Sequence, residues 1–333
     1  MRHLCVCTQG ARLGYNSHRV NIQIDGEIVR SVPIEPLESV ELYGNVQATT
    51  QLIHELLRRN ISVGMYSLGG FYIGNIGNPD CNGRSDIVKA QVIRAMDDVF
   101  RLKLAKIIIR AKIHNQKIVL RRSQDAPGQT ERDQLRQLDI LEKRINGSKD
   151  ISEIMGIEGN AARIYFSGLG KALNSPYNFY GRNRRPAKDP FNALINYGYA
   201  VLQNQVTGKL IMNGANPSIG MLHSSHGNKK ALSFDLMEEW RPVIVDSLAL
   251  HCLSSKKLRE DHFEIQEDGG INLTKEGLHI YRRKIIDKYD VSTSYIKCGA
   301  NMSFNKALNY QADSIVRAIQ ENDASIYSAC RIR

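Results

Sequence analysis

Hydrophobic and polar residues alternate in short tracts over the first part of the chain. Val20, Ile22 and Ile24 alternate with polar residues, and the Asp25-Gly26 pair that follows is typical of a tight hairpin turn. A second alternating tract covers residues 40–44, while residues 50–59 have the apolar spacing of one short amphipathic helix. These patterns predict a small, β-rich, sandwich-like domain over residues 1–80, ending in a stretch rich in Gly and Asn-Pro.

Beyond residue 83 the apolar spacing becomes that of helices. Ser85 is placed to cap a first helix over residues 86–122, which contain neither Gly nor Pro. Because helical spacing continues to the end, we expect residues 81–333 to form a larger all-α domain, which makes the fold class α+β. The further predicted helices cover residues 131–145, 149–170, 190–207, 234–253, 274–288 and 303–328.

The chain has 333 residues and carries 45 Lys and Arg against 34 Asp and Glu, a formal net charge of +11. Such an excess favours a polyanionic partner, with nucleic acid first and an acidic membrane surface second. No run of about 18 apolar residues is present, so a membrane span is not expected. The N-terminus becomes polar at Thr8, too early for a signal peptide. We therefore predict a cytoplasmic protein.

Two segments concentrate the positive charge. Residues 101–122 contain eight Lys or Arg and no acid, and residues 180–188 place arginines beside Tyr180 and other aromatic residues. Arginine with nearby aromatic rings suits a surface that grips a phosphate backbone and stacks bases, although such a loop also pairs with acids of its own protein. The first segment has two open interpretations, a polyanion contact or a solvated helix face. Its charged arc consists of Lys103, Lys106, Arg110, His114, Lys117 and Arg121.

The densest polar segment covers residues 220–242. Asp235 and Glu238 are spaced i, i+3, so a helix would place both carboxylates on one face, with His223 and His226 in the loop before it. A second element is Glu158, which lies on a helix otherwise patterned for burial and therefore requires a partner. Carboxylates with an imidazole suit Mg²⁺ or Mn²⁺ and the activation of a phosphodiester. The alternative is an ordinary helix start, capped by Ser233 or by Asp235 itself.

Three motifs make the chain recognisable. They are IMGIEGNAARIYF (154–166), GRNRRPAKDPFNALINYGYAVL (181–202) and GMLHSSHGNKKALSFDLMEEWRP (220–242). In this order and spacing they resemble the CRISPR-associated integrase family, the catalytic subunit of spacer acquisition, over essentially the whole chain. The resemblance implies a β-domain joined to a helical catalytic domain. It also implies that the 3′-hydroxyl of an incoming DNA attacks a phosphodiester at the edge of a CRISPR repeat, or that water attacks instead and the protein acts as an endonuclease.

The resemblance also implies roles for individual residues. Glu158, His223 and Glu238 match the metal ligands, for Mg²⁺ or Mn²⁺, and Asp235 matches an accompanying acid that positions water or phosphate or accepts a proton. His226 is the rival for the role of His223. Candidate DNA contacts, chosen by charge and by proximity to the motifs, are Arg84, Asn160, Arg163, Arg182, Arg184, Arg185, Lys229, Lys230 and Arg241.

The implied partners are double-stranded DNA, both as the incoming prespacer and as the CRISPR repeat, and a second copy of the chain bound through the β-domains. A dimer of a small ferredoxin-like protein, the second CRISPR adaptation protein, is expected to join two such homodimers. Two other functions stay open on the sequence alone. One is a non-catalytic DNA-binding scaffold whose acids only pair with its arginines, and the other is a general branched-DNA nuclease of repair.

Overall fold

The structure is a computed structural model. It describes residues 3–37, 39–68, 71–77, 84–123, 128–173, 177, 179–183, 185–223, 230–294 and 301–333.

Residues 3–76 form a β-rich unit of two four-stranded sheets with one helix, α1, Thr50–Arg58. One sheet has the order β1-β5-β7-β8 and the other the order β4-β3-β2-β6. Apolar side chains of both sheets, such as Leu13 and Val40, share one buried core with Leu52 of α1, as in a sandwich. The strands are β1 His3–Val6, β2 Arg12–Asn16, β3 Arg19–Ile24, β4 Glu27–Pro33, β5 Ser39–Tyr43, β6 Gln47–Ala48, β7 Ser62–Tyr66 and β8 Tyr72–Ile76.

The hairpin expected at Asp25-Gly26 joins β3 to β4, and both turn residues have positive φ, 51° and 86°. Asp tolerates this conformation and Gly adopts it without strain, so these two residues allow the tight reversal. The predicted β-rich, sandwich-like unit is therefore confirmed. The expected boundary between residues 80 and 81 falls within 78–83, outside the described residues, and stays a prediction.

The rest of the described chain is mainly helical, as predicted. Two short antiparallel pairs, β9 Phe263–Ile265 with β10 Ile271–Leu273 and β11 Ser292–Ser294 with β12 Asn301–Ser303, interrupt the helices. The helices are α2 Arg84–Ala95, α3 Asp98–Arg122, α4 Gln129–Arg144, α5 Ile151–Ala172, α6 Pro190–Met212, α7 Ala231–Met237, α8 Ser247–Ser254, α9 Lys275–Asp290 and α10 Phe304–Glu321, with a π-helical segment Arg241–Asp246 between α7 and α8.

Three predicted helices were divided or too long, and the one predicted over 190–207 was too short, since α6 continues to Met212. The single helix over 86–122 is divided, because the Asp97 side chain accepts the backbone N–H groups of Val99 and Phe100 and so starts α3. The helix over 234–253 is replaced by α7, the π-helical segment and α8, with Pro242 near the start of the wide turns. The last helix ends at Glu321 rather than 328, because Asn322 adopts a left-handed conformation with φ of 55°.

The β-rich unit packs directly on α6. Glu41 of β5 and Lys209 of α6 are both fully buried and form an ion pair across this boundary. Tyr43 stacks on Tyr66 with ring centroids 4.6 Å apart, and the Tyr43 hydroxyl lies 3.4 Å from Oε1 of Gln205 in α6. At its other end α6 begins directly after the arginine-rich loop. α6 therefore extends from the boundary with the β-rich unit to the region that carries the candidate chemistry.

Candidate metal and nucleic-acid site

A buried lysine joins two of the predicted metal ligands. The ammonium of Lys112, on the inner face of α3, donates hydrogen bonds to Oε1 of Glu158 in α5 and to Oε2 of Glu238 at the end of α7. Burial alone would lower the pKa of this lysine, but the charges of Glu238 and Glu158 outweigh burial and raise it. The two carboxylates therefore converge on one cation.

Glu238 has a second cationic partner. A guanidinium nitrogen of Arg241, one turn further along the chain, lies 3.1 Å from its Oε1. Burial opposes ionisation of Glu238, yet Arg241 and Lys112 lower its pKa to about 2. Both oxygens of this buried carboxylate are thus matched to positive charge, and the group is ionised at neutral pH.

His223 is held by Asp235. Its Nδ1 lies 2.7 Å from Oδ1 of the fully buried Asp235, which leaves Nε2 on the opposite side of the ring. The hydrogen bond that the ring donates to Asp235 is the main cause of a raised His223 pKa, burial opposes it, and the charges of Asp235, Glu238 and Glu158 add to it. A carboxylate that orients an imidazole in this way is common behind metal-binding histidines.

The described contacts of Asp235 are with the loop that carries His223. Its Oδ2 accepts the backbone N–H groups of Met221 and Leu222, at 2.6 and 3.0 Å. Its Oδ1 accepts the N–H and the ring nitrogen of His223, at 3.0 and 2.7 Å. All four acceptor positions of this carboxylate are therefore used, which favours a positioning role through His223, and its role as proton acceptor or water-positioning acid stays a prediction. The alternative of a helix start capped by Ser233 does not hold, since Ser233 lies inside α7 and its hydroxyl pairs with that of Thr207 in α6.

Glu158 carries an unsatisfied acceptor. Its Oε2 is buried and has no hydrogen-bond partner among the described residues. An orphaned carboxylate oxygen beside a second carboxylate and an imidazole provides oxygen and nitrogen donors of the types that Mg²⁺ or Mn²⁺ accepts. Within the described part of the chain, no three His, Cys, Asp or Glu side chains are already arranged to hold a metal ion. The donor types fit a divalent cation, and the Lys112 ammonium stands where the two carboxylates meet.

A tyrosine ring organises the arginines next to this site. The guanidinium carbons of Arg241 and Arg182 lie 4.9 and 5.3 Å from the ring centroid of Tyr199 in α6. The Tyr199 hydroxyl donates to Oδ1 of the buried Asp246 at 2.6 Å, and Tyr165 of α5 donates to Oδ2 at 3.0 Å. Cation–π contacts and a shared buried carboxylate thus connect the arginine-rich loop with Glu238.

Comparison with known proteins identifies the family of this chain. The family model described as "CRISPR associated protein Cas1" matches residues 4–290. The chain belongs to the Cas1 family. A curated relative, the CRISPR-associated endonuclease Cas1 of Mycobacterium tuberculosis, is 30% identical over 327 residues, which cover 98% of this chain and 96% of the relative.

Solved structures share the fold of this Cas1 chain. A chain of a partial Cas6-RT-Cas1–Cas2 complex superposes with a TM-score of 0.87 at 24% identity, covering 99% of both chains. A casposase bound to its integration product superposes with a TM-score of 0.75 at 20% identity, covering 98% of this chain and 99% of that one. The β-rich unit followed by a helical domain is therefore the Cas1 architecture.

The predicted DNA contacts fall into different environments in this Cas1 chain. Asn160 and Arg163 are exposed on α5, where Arg163 donates to Asn160 at 3.0 Å, and Arg185 is also exposed. Lys230 is half-buried. A Cβ added at Gly159, beside Glu158, would meet no described atom within 4 Å, so Gly159 borders open space among the described residues. Arg184 and Lys229 lie outside the described residues, and only the backbone of Arg84 is described.

Two of the predicted arginines have partners within the chain. Arg241 is paired with Glu238 and lies over the ring of Tyr199, and its predicted contact with DNA stays a prediction. Arg182 is half-buried, stacks on the same ring and donates to Oδ1 of Asn192 at 3.0 Å. His226, the rival of His223, lies outside the described residues.

The basic arc of α3 mostly faces the protein. Lys117 donates to Asp139 at 2.7 Å and to Glu142 at 3.0 Å, both on α4. Lys106 donates to the backbone oxygen of Asn146, and a ring nitrogen of His114 lies 2.9 Å from the backbone oxygen of Ile332. These three side chains contact α4, the turn after it and the C-terminal segment, whereas Lys103 and Arg121 of the arc are exposed, so a polyanion contact stays a prediction.

Proposed function

We propose that this Cas1 family member is a divalent-metal-dependent DNA integrase and endonuclease of CRISPR adaptation. The observation that supports the proposal is the convergence of Glu158 and Glu238 on one cation, together with the effect of both charges on the imidazole of His223 that Asp235 orients. A bound Mg²⁺ or Mn²⁺ would supply Lewis-acid stabilisation of the charge that develops on the attacked phosphate. Glu158, His223 and Glu238 are the residues that would hold it.

The chain's own side chains would position the DNA. Arg163, Asn160 and Arg185 are exposed, the first two on the helix that carries Glu158, and their donors suit phosphate oxygens. The open space beside Gly159 would let a duplex approach Glu158. Transesterification then joins the 3′-hydroxyl of the incoming strand to the phosphate at the repeat edge and releases the 3′-oxygen of the repeat strand. With water as the attacking group the same site would cleave DNA.

The partners belong to the same proposal. One neighbour in fold is named as a complex with Cas2 and another as bound to an integration product, and we extend both properties to this chain. A homodimer through the β-rich unit, a small ferredoxin-like partner and a cytoplasmic location are further parts of it. In the described part of the chain no helix is long and apolar enough to cross a membrane.

A second candidate function is a DNA-binding scaffold without catalysis. The ion pairs of Glu158 and Glu238 with Lys112 and Arg241 favour it, because they are what a purely structural role for these acids requires. Such a scaffold would bind DNA with strong salt dependence and no response to Mg²⁺ or Mn²⁺. Its Glu158 and Glu238 variants would lose stability rather than chemistry.

The test uses the purified protein, a supercoiled plasmid with a CRISPR repeat, a short duplex with free 3′-hydroxyls, and Mn²⁺. E158Q, E238Q and H223A are each expected to lower strand transfer by about 100-fold or more while DNA affinity stays within about threefold. E264Q, at an exposed site on β9, is the control and should be fully active. Unchanged strand transfer in the site variants would refute the metal site, and faster cleavage of branched DNA than integration would indicate a repair nuclease.

A further inference from the structure

Lys112 occupies the point at which the two acidic candidate ligands meet. Its ammonium donates to one oxygen of Glu158 and one of Glu238, and its side chain is buried on α3. A cation bound by both carboxylates at this point would have to take the place of the ammonium. The two carboxylate oxygens cannot contact the ammonium and a metal ion at short range at the same time, because the two positive charges would repel each other strongly in a buried site.

Without a cation the two glutamates would be an unstable pair. Glu238 is almost fully buried and Glu158 nearly so. Two ionised carboxylates in such a site repel each other and lose hydration, and removal of one partner from a buried ion pair is costly. The ammonium therefore stabilises the folded protein by keeping these two acids together.

The two carboxylates differ in what remains if the ammonium moves. Glu238 keeps Arg241, 3.1 Å from its other oxygen. Glu158 has no second hydrogen-bond partner among the described residues, since its Oε2 is buried and unbonded. Glu158 is therefore the carboxylate that gains most from a divalent ion.

We propose that Lys112 is a resident counter-ion of the metal site, which holds Glu158 and Glu238 together before a divalent ion binds and which the ion displaces. This inference rests on the proposed function. It assigns a positioning role to a residue outside the predicted ligand set and makes the affinity for the metal a result of competition. The opposing explanation is that Lys112 is a structural ion pair that never exchanges with a metal.

The chain contains a matched control for that explanation. Lys209 is also fully buried and bonded to a buried glutamate, Glu41, at the boundary between the β-rich unit and α6. None of the predicted metal ligands belongs to that pair. Removing the Lys209 charge should therefore destabilise the protein in a way that a divalent ion does not reverse.

The experiment compares wild type, K112M and K209M of the full chain. Unfolding temperatures are measured in EDTA and in Mn²⁺, and Mn²⁺ binding is measured by isothermal titration calorimetry. We expect both variants to unfold several degrees earlier than wild type in EDTA. Mn²⁺ should raise the unfolding temperature of K112M more than that of wild type, and K112M should bind Mn²⁺ at least about fivefold more tightly, since no ammonium competes. K209M should show the wild-type response to Mn²⁺.

Equal or weaker Mn²⁺ binding by K112M, or an equal loss of stability with and without Mn²⁺, would overturn the proposal. The double variant K112M/E158Q covers the case in which K112M does not fold, because it removes one of the two opposed charges. It should be folded and more stable than K112M in EDTA, and failure to improve on K112M would refute the counter-ion role. These EDTA measurements need no metal binding, so they separate this inference from the proposed function, which fails if wild type neither binds Mn²⁺ nor integrates DNA.

Discussion

Nδ1 of His223 lies 2.7 Å from Oδ1 of Asp235, and the backbone N–H of the same histidine donates to the same oxygen at 3.0 Å. Asp235 therefore fixes both the ring and the loop that carries it. Its other oxygen accepts the N–H groups of Met221 and Leu222, so the carboxylate holds three successive residues of this loop. In this structure Asp235 holds the imidazole in place.

D235N should destabilise the protein. The new amide presents an N–H₂ group to backbone N–H donors, so at least one buried donor loses its acceptor, at a cost of about 1–3 kcal/mol in the free energy of unfolding. Urea unfolding measures this change. D261N, at an exposed aspartate, is the control and should unfold as wild type does. A D235N protein of wild-type stability with abolished strand transfer would instead support Asp235 as a proton acceptor.

Tyr199 variants should separate its hydroxyl from its ring. Y199F loses the hydrogen bond to Asp246 but keeps the stacking on Arg182 and Arg241, so we expect a loss of about 1 kcal/mol in the free energy of unfolding. Y199L also loses both cation–π contacts and should cost a further 1–2 kcal/mol or so. Strand transfer should fall mainly in Y199L. The check is urea unfolding with a plasmid assay, and equal activity of the two variants would contradict a role for the ring.

The control for the Tyr199 pair is Tyr310, which is exposed on α10. Y310F and Y310L should both behave as wild type, because this ring has water on one side. A similar loss in Y310L would show that the measured effect belongs to tyrosine removal in general.

Asp246 should give the stability a specific pH dependence. Burial raises its pKa to about 6, against the hydrogen bonds of Tyr199 and Tyr165 and the charges of Arg182 and Arg241. Between about pH 4 and 6 the Asp246 carboxyl is protonated in the folded protein and ionised in the unfolded chain. This group's contribution is therefore fully present at the acid end and is lost as the pH rises, by up to about 1.4 kcal/mol per pH unit.

D246N should remove that slope from a series of urea unfolding curves between pH 4 and 6. Glu142 acts in the opposite direction and mainly at lower pH. Burial opposes its ionisation, but His114 and Lys117 lower its pKa to about 2, so its contribution is lost as the pH falls from about 4.5. An identical slope in wild type and D246N would exclude Asp246 as its source.

DNA affinity should depend on exposed cations and not on the packed arc of α3. R185A and R163A are expected to weaken binding and to reduce the slope of log affinity against log salt by about 0.7–0.9 for each phosphate that the variant no longer binds. K117A should leave affinity within about twofold, because the Lys117 ammonium is bonded to Asp139 and Glu142. Fluorescence anisotropy at several NaCl concentrations measures both. A reduced salt slope in K117A would contradict the packing explanation.

The sequence predicts the fold well because the patterns are local. The alternation of Val20, Ile22 and Ile24 and the Asp25-Gly26 turn produce one hairpin with the expected ends. The ends of helices were harder to predict, since the break at Asp97 depends on a single side chain that accepts two backbone N–H groups. An acid at that position is equally compatible with the interior of a solvated helix.

The sequence pattern did not predict which side chains of the site pair with one another. Lys112 belongs to a basic segment, and its partners Glu158 and Glu238 are 46 and 126 residues away. One signal was present, because Lys112 follows Ile108 and Ile109 by four and three residues and so lies on the apolar face of α3. Arg241 shows the opposite case, since its charge suggested DNA whereas its contacts are Glu238 and Tyr199.

The π-helical segment Arg241–Asp246 sets the angular position of its two ends. Residues five apart in a regular α-helix differ by roughly 140° around the axis, which would point Arg241 and Asp246 to different sides. In π-turns the repeat is i to i+5, so both side chains lie along one side and reach the same tyrosine ring. A deletion of one residue here would rotate the carboxylate away from the arginine without removing either. We therefore expect this segment to accept substitutions far more readily than any change in its length.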